Sequence, residues 1–221
     1  MKKVVIGLVG PIGCGKDAIG EAITKHFDAK VIAWADELYA QVADKFKVSA
    51  AFLQTRNTKE LPQDQIALIH CEDENFVNLM TGELGYDIHE PRSPRFILQH
   101  WGTEYRRAQD PDYWVKKTAE QIDRVTESAV LISGTRFQNE IAMTRRLGGF
   151  LLHVSRPGFQ KQNTHASEID IPIEFSDWEI INDASLEALE LKSIHLGRLM
   201  GLSLVQESPM NQSIKKIRRI V

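Results

Sequence analysis

Cysteine is scarce in this chain, which has two cysteines among its 221 residues, Cys14 and Cys71. Two cysteines so far apart in the sequence build neither a disulfide framework nor a thiolate metal cluster, which favours a reducing, cytoplasmic setting. Long apolar runs are missing as well, because the first one, residues 4–9, is too short for a signal peptide or a membrane span. The sequence therefore predicts neither export nor membrane insertion.

Charge of one sign is not in large excess either. Lys and Arg number 27 against 30 Asp and Glu, which gives a formal net charge of -3. This balance provides no general attraction to nucleic acid or to an anionic membrane, so we expect neither as a partner. The basic cluster at residues 215–219 is a short tail, and such tails are more often solvated than bound. With 43% hydrophobic and 26% charged residues, the chain suits one globular domain with a buried core.

Short apolar runs rich in β-branched residues alternate with segments of helical period along most of the chain. Alternation of this kind predicts an α/β fold in which helices flank a parallel five-stranded sheet. The strands are predicted at residues 4–9, 31–33, 130–132, 150–154 and 179–181. Helices are predicted at residues 17–27 and 35–46, from a cap at Asp110 to residue 125, and after the cap residue Ser185.

Two stretches interrupt this alternation within a single domain of residues 1–221. Residues 47–94 lack strand signals and are interpreted as a helical insertion in a core made of residues 1–46 and 95–221. Inserted helices often form the second substrate's side of a binding cleft, although a passive lobe has the same composition. Residues 156–175 are polar and contain Gly and Pro, which is typical of a short lid but also of an ordinary surface loop.

A glycine-rich loop separates the first predicted strand from the first predicted helix, with the spacing G-x-x-x-x-G-K from Gly10 to Lys16. Glycines let backbone N–H groups turn towards a phosphate, the helix N-terminus adds positive potential, and Lys16 supplies a full charge. The loop therefore predicts nucleotide binding in a P-loop NTPase fold. Asp17 stands where a Ser or Thr hydroxyl normally ligates magnesium, so it is the candidate metal ligand.

Arginines also lie where a phosphoryl-transfer enzyme would need them. Arg136 and Arg156 follow the third and fourth predicted strands, and Arg95 begins a helical segment after the insertion. Ligands of open α/β sheets bind at the carboxyl ends of the strands, and cations there stabilise a transferring phosphoryl group. A single arginine at such a position is more often a surface ion-pair partner, but three beside a phosphate-binding loop favour the functional interpretation.

Several short motifs follow one another along nearly the whole chain: Gly15-Lys16-Asp17, Arg95-x-x-x-Gln99-x-x-Gly102-Thr103, Tyr113-Trp114-Val115-Lys116, Thr135-Arg136, His153-Val154-x-Arg156-Pro157-Gly158, Thr164-His165-x-x-Glu168 and Asn182-Asp183-x-Ser185-Leu186-Glu187. In this order and spacing they resemble the bacteriophage deoxynucleoside monophosphate kinases, a branch of the P-loop nucleoside monophosphate kinases. Each motif alone is weakly specific, and residues 47–91 are the part least like the family.

The resemblance implies transfer of the ATP γ-phosphoryl group to a deoxynucleoside monophosphate (dNMP), with Mg²⁺ as cofactor. Lys16, Arg136 and Arg156 would be the catalytic residues. The resemblance implies that ATP is held by Gly10, Gly13, Cys14, Gly15, Lys16, Asp17, Ala18 and, near the adenine, Asn182. Related phage enzymes also suggest a homodimer and, for a phage-encoded enzyme, action in the host cytoplasm.

The resemblance assigns the acceptor nucleotide to a second set of residues. Arg95 would grip the monophosphate, Gln99 would contact the base edge, and Trp114 would pack against the base or the wall of the site. Arg136 would reach the acceptor as well as the transferring group. Trp114 on an amphipathic helix could equally be plain core, and Gln99 could be a solvated helix residue.

Two positions depart from the family's pattern. Similar kinases carry an Asp that orders the metal's waters where this chain has Gly134, and a Thr where this chain has Ala18. The metal shell would then depend on Asp17, with Asp36 as a second candidate. Asp36 could instead bind the acceptor sugar, and its default role is to cap the helix that begins there.

Two alternatives to a dNMP kinase stay open at this point. One is a kinase for another small phosphorylated acceptor, of the dephospho-coenzyme A or phosphomevalonate type. The other is an ATP-binding switch that transfers no phosphate, which the glycine at position 134 makes conceivable. The sequence does not specify the base of the acceptor, because base choice depends on side-chain placement in the divergent insertion.

Overall fold

The computed structural model describes residues 3–11, 13–158, 172–173 and 176–205. Most of the predicted lid, including the motif Thr164-His165-x-x-Glu168, lies outside the described residues. The basic tail at residues 215–219 lies outside them as well.

The described part of the chain contains eight α-helices, most of them close to where the sequence predicts helical structure. Three-residue 3-10 turns occur at Asp64–Ile66 and Leu68–His70, and π-helical segments at Leu79–Glu83 and Trp101–Arg107. No helix within these described ranges combines the length and apolar character needed to cross a bilayer. The helices are α1 (Lys16–His26), α2 (Asp36–Phe46), α3 (Ala50–Gln54), α4 (Glu74–Asn78), α5 (Pro94–His100), α6 (Tyr113–Arg124), α7 (Gln138–Arg146) and α8 (Leu186–Leu199).

The chain divides into two compact units. One, which we call the sheet unit, comprises Met1–Ile32 and Arg124–Val221, and the other, the helical unit, comprises Ala33–Asp123. The predicted insertion, residues 47–94, lies within the helical unit. In that stretch the described residues form only α3, α4 and short helical turns, together with one isolated bridge between Gln63 and Arg92.

Five strands form one sheet in the described part of the chain: β1 (Val4–Val9), β2 (Ala29–Ala33), β3 (Ala129–Ser133), β4 (Phe150–Ser155) and β5 (Trp178–Ile181). Their spatial order is β2-β3-β1-β4-β5. The pairs β1 with β3, β1 with β4, and β4 with β5 are parallel. This confirms the predicted α/β fold with a parallel five-stranded sheet, and the glycine-rich loop follows the central strand of that sheet, β1.

The main core of the sheet unit lies between one face of the central strands and the helices α1 and α8. Parallel strands covered on both faces need side chains that can be buried on both sides, and β1 is a nearly continuous apolar run for this reason. Gly197 of α8 allows close packing, because a Cβ there would lie 2.5 Å from Phe27 Cε2. The core includes Ile6, Leu8, Ile19, Ile23, Leu131, Leu152 and Leu189.

The helical unit is held together by an aromatic core. Trp101 lies 4.7 Å from Phe76 and 5.2 Å from Tyr105, measured between ring centroids. Ser93 begins α5 as its N-cap, where its hydroxyl accepts a hydrogen bond from the Phe96 amide at 3.2 Å. The chain then continues from α5 directly into the π-helical segment Trp101–Arg107, so two predicted acceptor positions, Arg95 and Gln99, sit on an element with a packed core behind it.

Candidate active site

The glycine-rich loop adopts a conformation that only glycine tolerates at several positions. Gly10, Gly13 and Gly15 have φ angles of 136°, 82° and 113°. The structure also leaves no room for a side chain at Gly10, because a Cβ there would lie 2.3 Å from the carbonyl oxygen of Val154. A Cβ on Gly15 would lie 2.6 Å from the side-chain nitrogen of Asn182. Side chains are therefore excluded at Gly10 and Gly15, which leaves the backbone there available to an anion.

Lys16 is folded into this loop. Its ammonium donates hydrogen bonds of 2.7 Å to the carbonyl oxygens of Gly10 and Pro11, and lies 3.7 Å from the sulfur of Cys14. Burial lowers the pKa of Lys16 most strongly; Cys14 acts in the opposite direction, and the charge of Arg136 lowers the pKa further. Lys16 is 9% exposed, and the two oxygens to which its ammonium donates are neutral carbonyl oxygens, so a phosphate would compensate for the cost of burying its charge.

Asn182 and Arg156 reach the same loop from the ends of neighbouring strands. The Asn182 amide donates to the carbonyl oxygen of Cys14 at 2.9 Å, and its own backbone N–H donates to Ser155 at 2.8 Å. Arg156 Nη1 donates to the carbonyl oxygen of Gly13 at 3.4 Å. The structure thus brings both predicted residues to the glycine-rich loop.

Arg136 follows β3 in a turn that a buried carboxylate holds. Glu140 is 2% exposed, and its Oε2 accepts hydrogen bonds from the backbone N–H groups of Arg136 at 2.8 Å and Phe137 at 3.2 Å. Just before them, the amide of Thr135 donates to the carbonyl oxygen of Leu8 in β1 at 3.1 Å. Glu140 is not among the residues predicted from the sequence, although an acidic residue at the third position of a helix is a known signal for this kind of cap.

Asp17 lies at the second position of α1 and is exposed, so its carboxylate is accessible beside the loop. Gly134 has a φ of 79°, and a Cβ there would meet nothing within 4 Å. No group of three or more acidic, His or Cys side chains able to hold a metal occurs among the residues that the structure describes. The donor set fits Mg²⁺ nevertheless, because this ion is commonly bound by one or two carboxylates together with substrate phosphates.

In the helical unit, Arg95 and Gln99 are four residues apart on α5 and therefore share one face of it. Arg95 forms an ion pair with Glu60 through its Nε, and its backbone N–H donates to the carbonyl oxygen of Lys59 at 3.0 Å. Gln99 is half-buried. Both residues are thus held on a short helix whose opposite side packs into the aromatic core.

The side chains of Trp114 and Asp36 both form hydrogen bonds within the protein. Trp114 is 3% exposed, and its indole N–H donates to the carbonyl oxygen of Gly102 at 3.0 Å, so it is a core residue with a satisfied polar group. Asp36 is exposed at the first position of α2, and its carboxylate accepts from the backbone N–H of Ala33 at 2.7 Å. The N-cap of α2 is Ala35, so Asp36 closes the turn before the helix instead of capping it from the N-cap position.

A network around Gln41 was not anticipated from the sequence. The amide oxygen of Gln41 accepts from Trp101 Nε1 at 3.1 Å and Arg106 Nε at 3.3 Å. Its amide nitrogen donates to Glu37 at 3.1 Å and to the hydroxyl of Tyr113 at 2.7 Å. All four positions of the amide are used, which fixes its orientation and connects α2, α6 and the π-helical segment. In the sequence Gln41 looks like any polar residue of an amphipathic helix.

Comparison with known proteins shows which family the chain belongs to. The sequence profile of one family, Deoxynucleotide monophosphate kinase, matches residues 54–193, well over half of the chain. The chain belongs to the deoxynucleotide monophosphate kinase family. The matched region includes α5, α6, β3, β4 and β5, and with them most of the site residues that follow the glycine-rich loop. This kinase is therefore a nucleotide-binding phosphotransferase, as the sequence predicts.

Two viral relatives carry the name of this family. A deoxynucleotide monophosphate kinase of Enterobacteria phage T4 is 34% identical over 124 residues, which are 53% of this chain and 51% of that protein. A protein of Acanthamoeba polyphaga mimivirus that carries the same family name is 26% identical over 190 residues, 83% of this chain and 91% of that one. Among solved structures, dephospho-CoA kinase from Campylobacter jejuni aligns with a TM-score of 0.44 at 15% identity, covering 90% of this chain and 98% of that one.

Proposed function

We propose that this kinase transfers the γ-phosphoryl group of ATP to a deoxynucleoside 5'-monophosphate, producing ADP and the deoxynucleoside diphosphate. The observation that carries the proposal is the position of Lys16, whose buried ammonium is held by two carbonyl oxygens inside a glycine loop at the start of α1. That arrangement is suited to the β- and γ-phosphates of a nucleoside triphosphate. Membership of the family supports a dNMP acceptor over dephospho-coenzyme A, phosphomevalonate or a switch without transfer.

On the donor side, backbone N–H groups of the loop from Gly10 to Gly15 would surround the phosphates of ATP. Lys16 would exchange its two carbonyl partners for phosphate oxygens. Asn182 would lie near the adenine while its amide holds the loop through Cys14. Asp17 would hold Mg²⁺ directly or through water, and the ion would neutralise charge on the two terminal phosphates.

Two arginines would stabilise the transferring group. Arg136 is fixed by the Glu140 turn at the end of β3, and Arg156 contacts the loop at Gly13. Both can place guanidinium N–H groups on phosphate oxygens, because the planar guanidinium can donate to two oxygens of one phosphate at once. No general base is needed, because the phosphate of the acceptor is already an anionic nucleophile at neutral pH.

On the acceptor side, Arg95 would bind the 5'-phosphate and Gln99 the base. Trp114, buried and hydrogen-bonded to Gly102, would support the wall of this site rather than stack on the base. Asp36 would remain a turn residue that also contacts the sugar hydroxyl. We further propose that residues 47–94 act as the acceptor lobe and residues 156–175 as a lid. The enzyme would work in the cytoplasm, which is that of the host if the enzyme is phage-encoded, as a homodimer and without binding nucleic acid.

The proposal is tested by measuring ADP formation from ATP and Mg²⁺ with each common deoxynucleoside and ribonucleoside monophosphate. Dephospho-coenzyme A and phosphomevalonate serve as alternative acceptors. We expect turnover with at least one dNMP and none with the two alternatives. ATP binding without turnover on any acceptor would instead support the switch. Arg136→Ala should lower kcat by orders of magnitude, whereas Lys117→Ala, which changes a surface pair with Glu120, should leave it unchanged.

A further inference from the structure

Lys59 places a positive charge in a partly enclosed position. It is half-buried, and its ammonium donates a hydrogen bond to the hydroxyl of Tyr39 on α2. The ammonium also lies 5.0 Å from the centroid of the Tyr39 ring. Within the described ranges of the chain, no carboxylate forms an ion pair with Lys59. A half-buried charge is normally compensated, so this position calls for an anion.

The backbone of Lys59 is fixed beside Arg95. The N–H of Arg95 donates to the carbonyl oxygen of Lys59 at 3.0 Å, and the turn around it is closed by a 3.0 Å hydrogen bond from Leu61 to Thr58. The next residue, Glu60, forms the ion pair with Arg95 Nε. Lys59 and Arg95 are therefore parts of one structural element, although 35 residues separate Glu60 from Arg95 in the sequence.

The charges of this element do not balance. Lys59 and Arg95 contribute two positive charges and Glu60 one negative charge, and the side chain of Glu60 is 63% exposed, so water screens it. Two ammonium N–H groups of Lys59 stay available after the bond to Tyr39, since an ammonium has three donors. The terminal nitrogens of Arg95 are the donors of its guanidinium that the Glu60 pair leaves available. A phosphate monoester at neutral pH carries close to two negative charges and three acceptor oxygens.

We propose that Lys59 is a second phosphate-binding residue of the acceptor site, acting with Arg95 on the 5'-phosphate of the dNMP, and that Tyr39 holds its ammonium in place. This rests on the proposed function, because it assigns a ligand to the acceptor site of that reaction. Neither the glycine-rich loop nor Mg²⁺ is involved. The inference therefore predicts an effect on the acceptor and none on ATP.

The test is steady-state kinetics of Lys59→Met with dGMP and dTMP as acceptors. Loss of charged hydrogen bonds to a phosphate is expected to raise the KM for the acceptor by about tenfold to a hundredfold. The KM for ATP and the thermal midpoint should stay as in the wild type. Lys59→Arg should recover part of the acceptor affinity, and Tyr39→Phe should cause a smaller rise than Lys59→Met. Lys117→Met is the matched control, since it removes the same charge from a lysine already paired with Glu120.

Several outcomes would overturn the inference. An unchanged acceptor KM in Lys59→Met would do so while leaving the proposed function intact, as would equal rises in the KM values for acceptor and ATP. If the wild type transfers phosphate to no dNMP, the proposed function fails. Calorimetric titration with dGMP then tests separately whether Lys59 binds the nucleotide. Binding by the wild type that is lost in Lys59→Met supports the inference, whereas equal binding by both, or no binding by either, contradicts it.

Discussion

The carboxylate of Glu140 holds the turn that carries Arg136, and removing it should damage stability and catalysis together. Oε2 of Glu140 accepts from two consecutive backbone N–H groups, those of Arg136 and Phe137, in a position that is 2% exposed. In Glu140→Ala both donors lose a charged acceptor, and the alanine is too short to supply a replacement. The turn after β3 must then reorganise or admit water.

The expected loss of stability follows from the two hydrogen bonds that Glu140→Ala removes. Bonds to charged groups contribute about 1.5–3 kcal/mol each, and the two donors are only partly buried, so water recovers some of the loss. We therefore expect Glu140→Ala to lower the free energy of unfolding by about 2–4 kcal/mol. Displacing Arg136 from the site by about an ångström should also reduce kcat roughly a hundredfold.

Urea denaturation and steady-state kinetics measure the two effects. Glu140→Gln is the matched control, because its amide oxygen still accepts both hydrogen bonds while the charge is lost, and about half of the destabilisation is expected. If Glu140→Ala changes the free energy of unfolding by less than about 0.5 kcal/mol and leaves kcat at the wild-type value, the assigned role of Glu140 is wrong.

Four further predictions concern other parts of the structure. Lys16→Met should lower kcat by orders of magnitude, with the fold retained in circular dichroism; turnover near the wild-type value would exclude Lys16 from the reaction. Gly15→Ala should weaken ATP binding at least tenfold in calorimetry, since its φ of 113° is unfavourable for alanine and its Cβ would lie 2.6 Å from an asparagine nitrogen. Trp114→Phe should lower the free energy of unfolding by about 1–3 kcal/mol, because the carbonyl of Gly102 loses its donor; an unchanged denaturation midpoint would contradict this. Burial raises the pKa of the Cys71 thiol to about 11, so only about one molecule in a thousand is thiolate at pH 8, and iodoacetamide should label the folded protein much more slowly than the unfolded one.

Strand prediction succeeded because the central strands of a parallel sheet are apolar on both faces. β1 occupies the predicted residues 4–9, and β3 extends the predicted residues 130–132 by one residue at each end. β2 begins two residues earlier than predicted, at Ala29, because the exposed Lys30 interrupts the apolar pattern. Local periodicity records burial, so it fails where an edge strand turns a charged residue to solvent.

The predicted helix boundaries are less accurate where side-chain hydrogen bonds, rather than the apolar periodicity, determine where a helix begins. α6 begins at Tyr113 and not directly after Asp110, because the carboxylate of Asp110 accepts from the Asp112 amide at 3.0 Å and closes a turn before the helix. α7 was not predicted as a separate helix. Its N-terminus carries no Ser, Thr, Asp or Asn cap and relies on Glu140 from inside the helix.

The candidate site also contains features that could be predicted from the sequence and features that could not. The loop from Gly10 to Lys16 could be predicted because its chemistry depends on residues adjacent in the sequence. The contacts of Gln41 and Lys59 could not, because their partners are distant in the sequence, such as Trp101 for Gln41 and Tyr39 for Lys59. No short motif encodes such a contact, so only the folded helical unit reveals it.

The central claim is phosphoryl transfer from ATP to a dNMP, and the most direct test follows the phosphoryl group itself. ATP labelled at its γ-phosphoryl group is incubated with Mg²⁺, the wild-type protein and dGMP, dTMP, dCMP or dAMP, and the products are separated by chromatography. The account predicts that the label appears in a deoxynucleoside diphosphate for at least one acceptor, and that Lys16→Met abolishes this transfer. Label that stays in ATP, or that is released only as inorganic phosphate with every acceptor, would contradict it.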